Sequence, residues 1–156
     1  MVEVGMHAPD FESVDDSGQP FRLSQLRGRW VVLYFYPKDN TPGCTREACA
    51  FRDVHTVLTQ QGATVVGVSP DSVRSHQRFK EQYELPFVLI SDPGGQIAQQ
   101  YGVWQERHLY GRRFMGVART TFVIDPGGVI RAVFPNVRVD GHAEEVLHRL
   151  MALQRE

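Results

Sequence analysis

The sequence lacks any hydrophobic run long enough to cross a membrane, and it lacks an excess of charge of either sign. Its longest apolar run, Trp30–Tyr36, is far shorter than the roughly 20 residues of a membrane span. The 17 lysines and arginines nearly balance the 18 aspartates and glutamates, so the charge favours neither nucleic acid nor an anionic membrane as a partner. The first residues show no secretory signal pattern, and we therefore expect a cytoplasmic protein.

Cysteine is also scarce, because Cys44 and Cys49 are the only two. In the cytoplasm a stable structural disulfide is unusual, and a cysteine pair is more often catalytic or metal-binding. A zinc site would need two more ligands, and His55 is the only histidine near the pair in sequence. No glycine-rich phosphate loop is present either. We therefore expect no metal and no other cofactor.

The 156 residues suit one domain, spanning residues 1–156. Apolar runs and turn signals predict the elements in order. They are a hairpin from 11–14 and 21–23, a helical turn at 23–26, a strand at 30–36, a helix from Thr41 to about Gln60, a strand at 63–68, a helix opened by 69–72, a strand at 85–90, a helix at 97–101, a hairpin from 120–124 and 129–134, and a last helix capped by Asp140.

This order of elements predicts an α/β fold with a mixed central sheet flanked by helices. The first strand-helix-strand unit requires a parallel, right-handed crossover, whereas the hairpin around Pro126 requires an antiparallel edge. The arrangement is that of a thioredoxin-like fold with an added N-terminal β-hairpin. A fold alone does not decide the function.

The most informative segment is Pro37–Cys49, which joins the buried strand to the helix that follows. Thr41 is a good N-cap and Pro42 a good first helical residue, so Cys44 becomes the third residue of the helix. The unpaired N–H groups and the positive dipole end of a first turn favour an anion, which for cysteine is the nucleophilic thiolate. The alternative is an inert, buried thiol.

The spacing of Cys49 from Cys44 restricts how the two sulfurs can react. Five residues of helix turn through about 500° and rise about 7.5 Å, which puts the Cα atoms roughly 8–9 Å apart. This exceeds the usual disulfide range of about 4.4–6.8 Å. Either no disulfide forms, or the first turns of the helix unwind when it does. A catalytic pair that uses local unfolding is favoured over a static bridge.

Two further side chains are candidates for the same site. Thr41 carries a hydroxyl at the start of the helix, where it serves as a cap or also contacts the sulfur or a substrate oxygen. Arg119 precedes the strand at 120–124 and is either an ordinary solvated arginine or a guanidinium that reaches Cys44 and stabilises negative charge there. These residues alone leave both alternatives open.

The pattern Pro37-x-x-x-Thr41-x-x-Cys44 resembles the active-site signature of the peroxiredoxins. The longer string Pro37–Cys49 resembles the Q-type subfamily, also called bacterioferritin comigratory protein. The similarity extends over nearly the whole chain through matching motifs, which are Ala8-Pro9-Asp10-Phe11, Leu85-Pro86-Phe87, Ser91-Asp92, Tyr110-Gly111 and Arg119-x-Thr121-Phe122-x-Ile124-Asp125.

The resemblance implies a role for each residue of the motif. Cys44 matches the peroxidatic cysteine that attacks a peroxide and becomes a sulfenic acid, and Cys49 matches the resolving cysteine. Thr41 matches the hydroxyl that binds the peroxide, Arg119 the arginine that polarises it, and Pro37 the residue that shields the pocket. The implied partners are a peroxide and thioredoxin or a similar dithiol, and the implied oligomeric state is a monomer.

We therefore predict a thiol peroxidase that reduces hydrogen peroxide and organic hydroperoxides and is recycled through a Cys44–Cys49 disulfide. Two rivals use the same chemistry. A thiol–disulfide carrier would be expected to have Cys-x-x-Cys at the helix start, whereas the spacing here is Cys-x-x-x-x-Cys. A redox sensor would use the disulfide as a switch without turnover.

Overall fold

Nine strands and four α-helices make up the computed structural model, which describes residues 1–156. The strands are β1 (Glu12–Asp15), β2 (Pro20–Arg22), β3 (Trp30–Phe35), β4 (Ala63–Ser69), β5 (Val88–Ser91), β6 (Trp104–Leu109), β7 (Arg112–Val117), β8 (Thr120–Ile124) and β9 (Ile130–Phe134). The helices are α1 (Pro42–Gln60), α2 (Val73–Tyr83), α3 (Gln96–Gln100) and α4 (His142–Gln154), with short 3₁₀ turns at Leu23–Leu26 and Pro93–Gly95. None of the helices has the length and apolar character needed to span a bilayer.

Seven strands form the main sheet, in the order β2-β1-β5-β4-β3-β8-β9. The central strands β3, β4 and β5 are parallel to one another. The N-terminal hairpin joins β5 in antiparallel fashion, and β8 joins β3 in the same way on the other side. The structure therefore confirms the predicted mixed sheet, with parallel strands at the centre and a hairpin at each edge.

The alternation of side chains along β3 builds a hydrophobic core on each face of the sheet. Val31, Leu33 and Phe35 contact the core that includes α3 and the N-terminal segment. The intervening Val32 and Tyr34 contact the core beneath α1, α2 and α4. Helix α1 is thus fixed on the sheet with its N-terminus at the carboxyl end of β3.

The hairpin of β6 and β7 was not among the predicted elements. It forms a separate two-stranded sheet, and most of its residues are exposed. Because neither face of this hairpin is buried in the core, its residues lack the alternation that identifies a strand. Tyr110 and Gly111, with φ of 51° and 75°, form the two-residue turn. This turn was the one signal that could have revealed the hairpin.

Most predicted boundaries lie within one residue of the observed ones, and two of the differences have a clear physical reason. The N-cap of α4 is Gly141, with φ of 75°, and Asp140 lies outside the helix as an exposed side chain 3.7 Å from Arg46. Glycine adopts this left-handed conformation without strain, which moves the helix start one residue along. The strand predicted from Leu85 begins at Val88, because Pro86 has no N–H to contribute to the ladder.

Candidate active site

Cys44 lies in the first turn of α1, just beyond the carboxyl end of β3. Thr41 occupies the N-cap position and Pro42 begins the helix, so Cys44 is the third helical residue, as predicted. Its side chain is 1% exposed and packs in the core between the sheet and α1. The first turn of a helix carries unpaired N–H groups and the positive end of the helix dipole, which favour an anion there.

The pairing of β8 with β3 brings Arg119 to Cys44. Phe35 lies opposite Thr120 in this antiparallel pair, so Arg119 sits at the end of the sheet where α1 begins. Its Nη2 donates a hydrogen bond to Cys44 Sγ at 3.3 Å. A Cβ at Gly43 would lie 3.2 Å from the same Nη2, so glycine leaves space for the guanidinium. Of the two alternatives for Arg119, the structure shows the one in contact with the sulfur.

Glu47 is a site residue that the sequence reasoning missed. It lies one turn after Cys44 on the buried face of α1, and it is 1% exposed. Arg119 Nη1 donates to Glu47 Oε1 at 2.6 Å, while Oε2 is buried without a partner. The two ends of one guanidinium therefore contact the sulfur and the carboxyl group. The sequence does contain a signal for this role. Glu47 lies three positions after Cys44, among the apolar residues that form the buried face of the helix, where an acidic side chain is unusual.

Burial governs the ionisation of the groups around Cys44. It raises the pKa of Glu47 from 4.5 to about 7, although the charge and hydrogen bond of Arg119 act in the opposite direction. Burial, and then the charges of Glu47 and Cys44, raise the pKa of Tyr34 well above its usual value, so this phenol stays neutral. The carboxyl of Glu47, which is joined to the sulfur through Arg119, thus changes charge close to neutral pH.

Thr41 and Pro37 occupy the loop that leads from β3 into α1. The Thr41 hydroxyl does not bond to a helical N–H, and instead donates to the carbonyl of Lys38 at 2.9 Å. Because a hydroxyl has one proton and two lone pairs, this bond leaves its oxygen able to accept a hydrogen bond from a substrate. Pro37 is half-buried and lines the surface next to the loop.

Cys49 lies on the same helix as Cys44, and both cysteines are free thiols. Cys49 is half-buried, whereas Cys44 is buried. Since α1 is continuous from Pro42 to Gln60, about 500° of helical rotation separates the two side chains. The structure therefore does not bring the two sulfurs together in this conformation.

A surface groove of about 380 Å³ begins at Pro37 and runs along the β6–β7 hairpin. Its residues are mainly apolar side chains and glycine from the hairpin, with two prolines from the loops: Pro37, Lys38, Pro70, Trp104, Arg107, Leu109, Phe114, Met115, Gly116 and Val117. The β6–β7 hairpin thus forms one wall of the groove that begins at Pro37.

One cluster of possible metal ligands includes Asp39 of the loop between β3 and α1. Atoms of Asp39, Asp71 and His76 lie within 4.8 Å of one another. They are bonded to each other, because Asp39 Oδ2 lies 2.7 Å from His76 Nδ1 and Asp71 Oδ2 accepts the Asp39 N–H at 2.8 Å. These hydrogen bonds satisfy the groups without an ion, and we assign no metal to them.

Comparison with known proteins gives consistent matches over the chain. A profile of the AhpC/TSA family matches residues 4–133. A putative peroxiredoxin bcp of Coxiella burnetii is 52% identical over 149 residues, covering 96% of this chain and 99% of that protein. Peroxiredoxin Bcp of Bacillus subtilis is 44% identical over 149 residues, covering 96% and 95%. A solved structure of the Xanthomonas campestris bacterioferritin comigratory protein, described for its alkyl peroxide reduction activity, has a TM-score of 0.90 at 34% identity and covers 96% and 98%.

The structural match confirms the thioredoxin-like fold, and the sequence matches confirm the resemblance carried by the Pro37–Cys49 motif. Cys44 of this motif is the buried thiol at the start of α1, and Arg119 donates a hydrogen bond to it. The chain therefore belongs to the AhpC/TSA family as a peroxiredoxin of the Bcp/Q type, a thiol-dependent peroxidase.

Proposed function

We propose that Cys44 is the peroxidatic residue of a two-cysteine cycle. The Cys44 thiolate attacks one peroxide oxygen, the O–O bond breaks, and the other oxygen leaves as water or an alcohol after taking a proton. The resulting sulfenic acid condenses with the Cys49 thiol, forming the disulfide and releasing water. A dithiol then reduces the disulfide by exchange and becomes oxidised itself.

The observation that carries this proposal is the 3.3 Å hydrogen bond from Arg119 to the buried Cys44 sulfur. In this position the guanidinium stabilises the thiolate before the reaction and the negative charge that develops on the leaving oxygen during it. Glu47 orients Arg119 from the opposite side at 2.6 Å. Thr41 accepts a hydrogen bond from the bound peroxide through its free lone pairs, and Pro37 covers the entrance.

The groove beside Pro37 supports organic hydroperoxides as substrates in addition to hydrogen peroxide. Its mainly apolar residues provide a surface for an alkyl group whose peroxide end points toward Cys44. The alkyl peroxide reduction described for the Xanthomonas campestris protein agrees with this proposal. We expect hydroperoxides with an apolar substituent to be reduced by the same site.

The reductant that fits this cycle is thioredoxin or a similar dithiol, because an intramolecular disulfide needs two thiols to restore it. We further propose that the protein works in the cytoplasm as a monomer built from one domain over residues 1–156. The Cys44–Cys49 spacing supports the intramolecular disulfide only if α1 opens, so unwinding is part of the proposed cycle.

The experiment that tests the function compares two activities of the purified protein. A peroxidase consumes peroxide with thioredoxin as the electron donor, whereas a carrier reduces insulin disulfides. We expect peroxide consumption with many turnovers and little insulin reduction. Insulin reduction without peroxide turnover would contradict the proposal, and oxidation that stops after one turnover in the presence of thioredoxin would indicate a sensor.

A further inference from the structure

The loop between β3 and α1 contains a buried carboxyl group, that of Asp39, which has no role in the reaction steps proposed above. The Asp39 side chain is 2% exposed, and the side chain of His76, against which it packs, is fully buried. On either side of Asp39, Lys38 and Asn40 are exposed. The loop thus turns one charged side chain into the protein while its neighbours face solvent, which requires compensating contacts inside.

These contacts connect Asp39 to three parts of the fold. Tyr36 OH donates to Asp39 Oδ1 at 2.6 Å, and Ser75 Oγ donates to Oδ2 at 2.8 Å. His76 Nδ1 lies 2.7 Å from Oδ2, so two residues of α2 contact this oxygen. The Asp39 N–H donates to Asp71 after β4 at 2.8 Å. The loop is therefore joined to β3, to the segment after β4 and to the first turn of α2.

His76 extends the same network to β5. Its Nε2 lies 3.0 Å from the carbonyl oxygen of Ile90, which can only accept a hydrogen bond. Nδ1 faces the carboxylate of Asp39, which also only accepts when ionised. Each ring nitrogen of His76 therefore faces an acceptor oxygen, and the ring pairs with Asp39 inside the protein. Such a pair is strongly disrupted when one partner is removed.

The loop that Asp39 anchors is itself strained. Asn40 has φ of 60°, in the left-handed region that residues other than glycine seldom adopt. Such a conformation persists where the surrounding structure holds it in place. Asp39 is bonded on one side of Asn40, and on the other side Thr41 accepts the first helical hydrogen bond from Thr45 at 2.9 Å.

We propose that Asp39 is a positioning residue that, through its pair with His76, anchors the start of α1 for the peroxide step. This inference rests on the proposed two-cysteine cycle, which places opposite demands on the first turn of α1. Attack on peroxide needs that turn folded, with Cys44 against Arg119, whereas disulfide formation needs it unwound. With Asp39 anchored, the loop at the start of α1 stays in place. The first turns of α1 can then unwind after this point and refold with Cys44 against Arg119.

The test separates the two steps in Asp39→Asn by stopped-flow fluorescence of the reduced protein. We expect the rate constant for peroxide to fall about tenfold, because the first turn is less often correctly placed. The following disulfide step should be as fast as in the wild type or faster, since unwinding has become easier. A substitution that only lowers global stability would not slow the peroxide step while leaving the disulfide step unchanged.

The matched control is Asp16→Asn. Asp16 is also a buried carboxylate bound to α2, through Lys80 at 2.8 Å, and it accepts the Leu89 N–H at 3.0 Å. It has no contact with the loop before α1. This variant should lose stability while both rate constants stay at the wild-type values, which distinguishes loss of the anchor from loss of a buried charge pair.

Ser75→Ala provides a second variant in case Asp39→Asn does not fold. Ser75 is half-buried and donates a single bond to Asp39, so we expect a fall of about threefold in the peroxide rate constant. Wild-type peroxide rates in Ser75→Ala and in folded Asp39→Asn would overturn the proposal, as would equal slowing of both steps. If the wild type reacts with peroxide but forms no Cys44–Cys49 bond, the two-cysteine cycle fails separately, because the effect on the peroxide step is measured before resolution.

Discussion

The buried carboxyl group of Glu47 should make the stability of this protein depend on pH in a way that Glu47→Gln removes. Burial raises the pKa of Glu47 from 4.5 to about 7 in the folded protein. Between these two values the unfolded chain has lost this proton while the folded protein still binds it. The free energy of unfolding should therefore be highest below pH 4.5, fall as the pH rises to about 7, and change no further through this group.

The size of the effect follows from the same pair of values. At about 1.4 kcal/mol for each pKa unit, the stability lost over this window is about 3 kcal/mol. Glu47 is 1% exposed, so solvent does not screen the effect. Glutamine is neutral at every pH and keeps an oxygen that can accept the 2.6 Å hydrogen bond from Arg119. Relative to the wild type, Glu47→Gln should therefore gain about 3 kcal/mol in stability as the pH rises from about 4 to about 8.

Urea unfolding of the reduced proteins at several pH values measures this difference. Glu81→Gln is the control, because Glu81 is exposed on α2 and its replacement should leave the wild-type pH dependence unchanged. The use of paired variants cancels the contributions of all other titrating groups. If Glu47→Gln and the wild type lose stability in parallel across this range, the buried-carboxyl argument is wrong.

Substitutions at four further residues test the roles at the site. Cys44→Ser should fold normally and lose peroxide reduction. If this variant still turned over peroxide, Cys44 would not be the nucleophile. Arg119→Met should lower the peroxide rate constant by about 10²–10³, equivalent to about 2.7–4 kcal/mol, with Arg119→Lys in between; an unchanged rate in the methionine variant would contradict the role of the guanidinium. Thr41→Val should slow the peroxide step while Thr41→Ser retains it, and equal rates in the two would exclude the hydroxyl. Cys49→Ser should react once with peroxide, stall at the sulfenic acid and become prone to overoxidation, which mass spectrometry detects; wild-type recycling by thioredoxin would instead indicate a one-cysteine cycle.

The sequence was sufficient to predict the elements that support the site, because each has a strong local signal. The apolar run that forms β3, the cap at Thr41 and the first helical residue Pro42 together predicted the position of Cys44 in α1. The alternating strands and their turns predicted the mixed sheet. These features depend on residues close together in the chain, for which propensity and pattern are informative.

The contacts that complete the site depend on residues far apart in the chain, which a single sequence does not reveal. The bond from Arg119 to Cys44 exists because of the register between β3 and β8. The burial of Glu47 and Asp39 results from packing that no local pattern specifies. The β6–β7 hairpin was missed for a related reason, because its exposed strands are not selected for a hydrophobic face.

The central claim is that Cys44 and Cys49 form a disulfide that requires the first turns of α1 to open. The most direct measurement treats the reduced protein with a stoichiometric amount of peroxide, then maps the disulfide by mass spectrometry and follows amide hydrogen exchange along α1. We predict a Cys44–Cys49 bond together with faster exchange at residues 45–51, and no such change in Cys49→Ser. A Cys44–Cys49 bond with unchanged exchange in this segment, or oxidation that yields no such bond, would contradict the account.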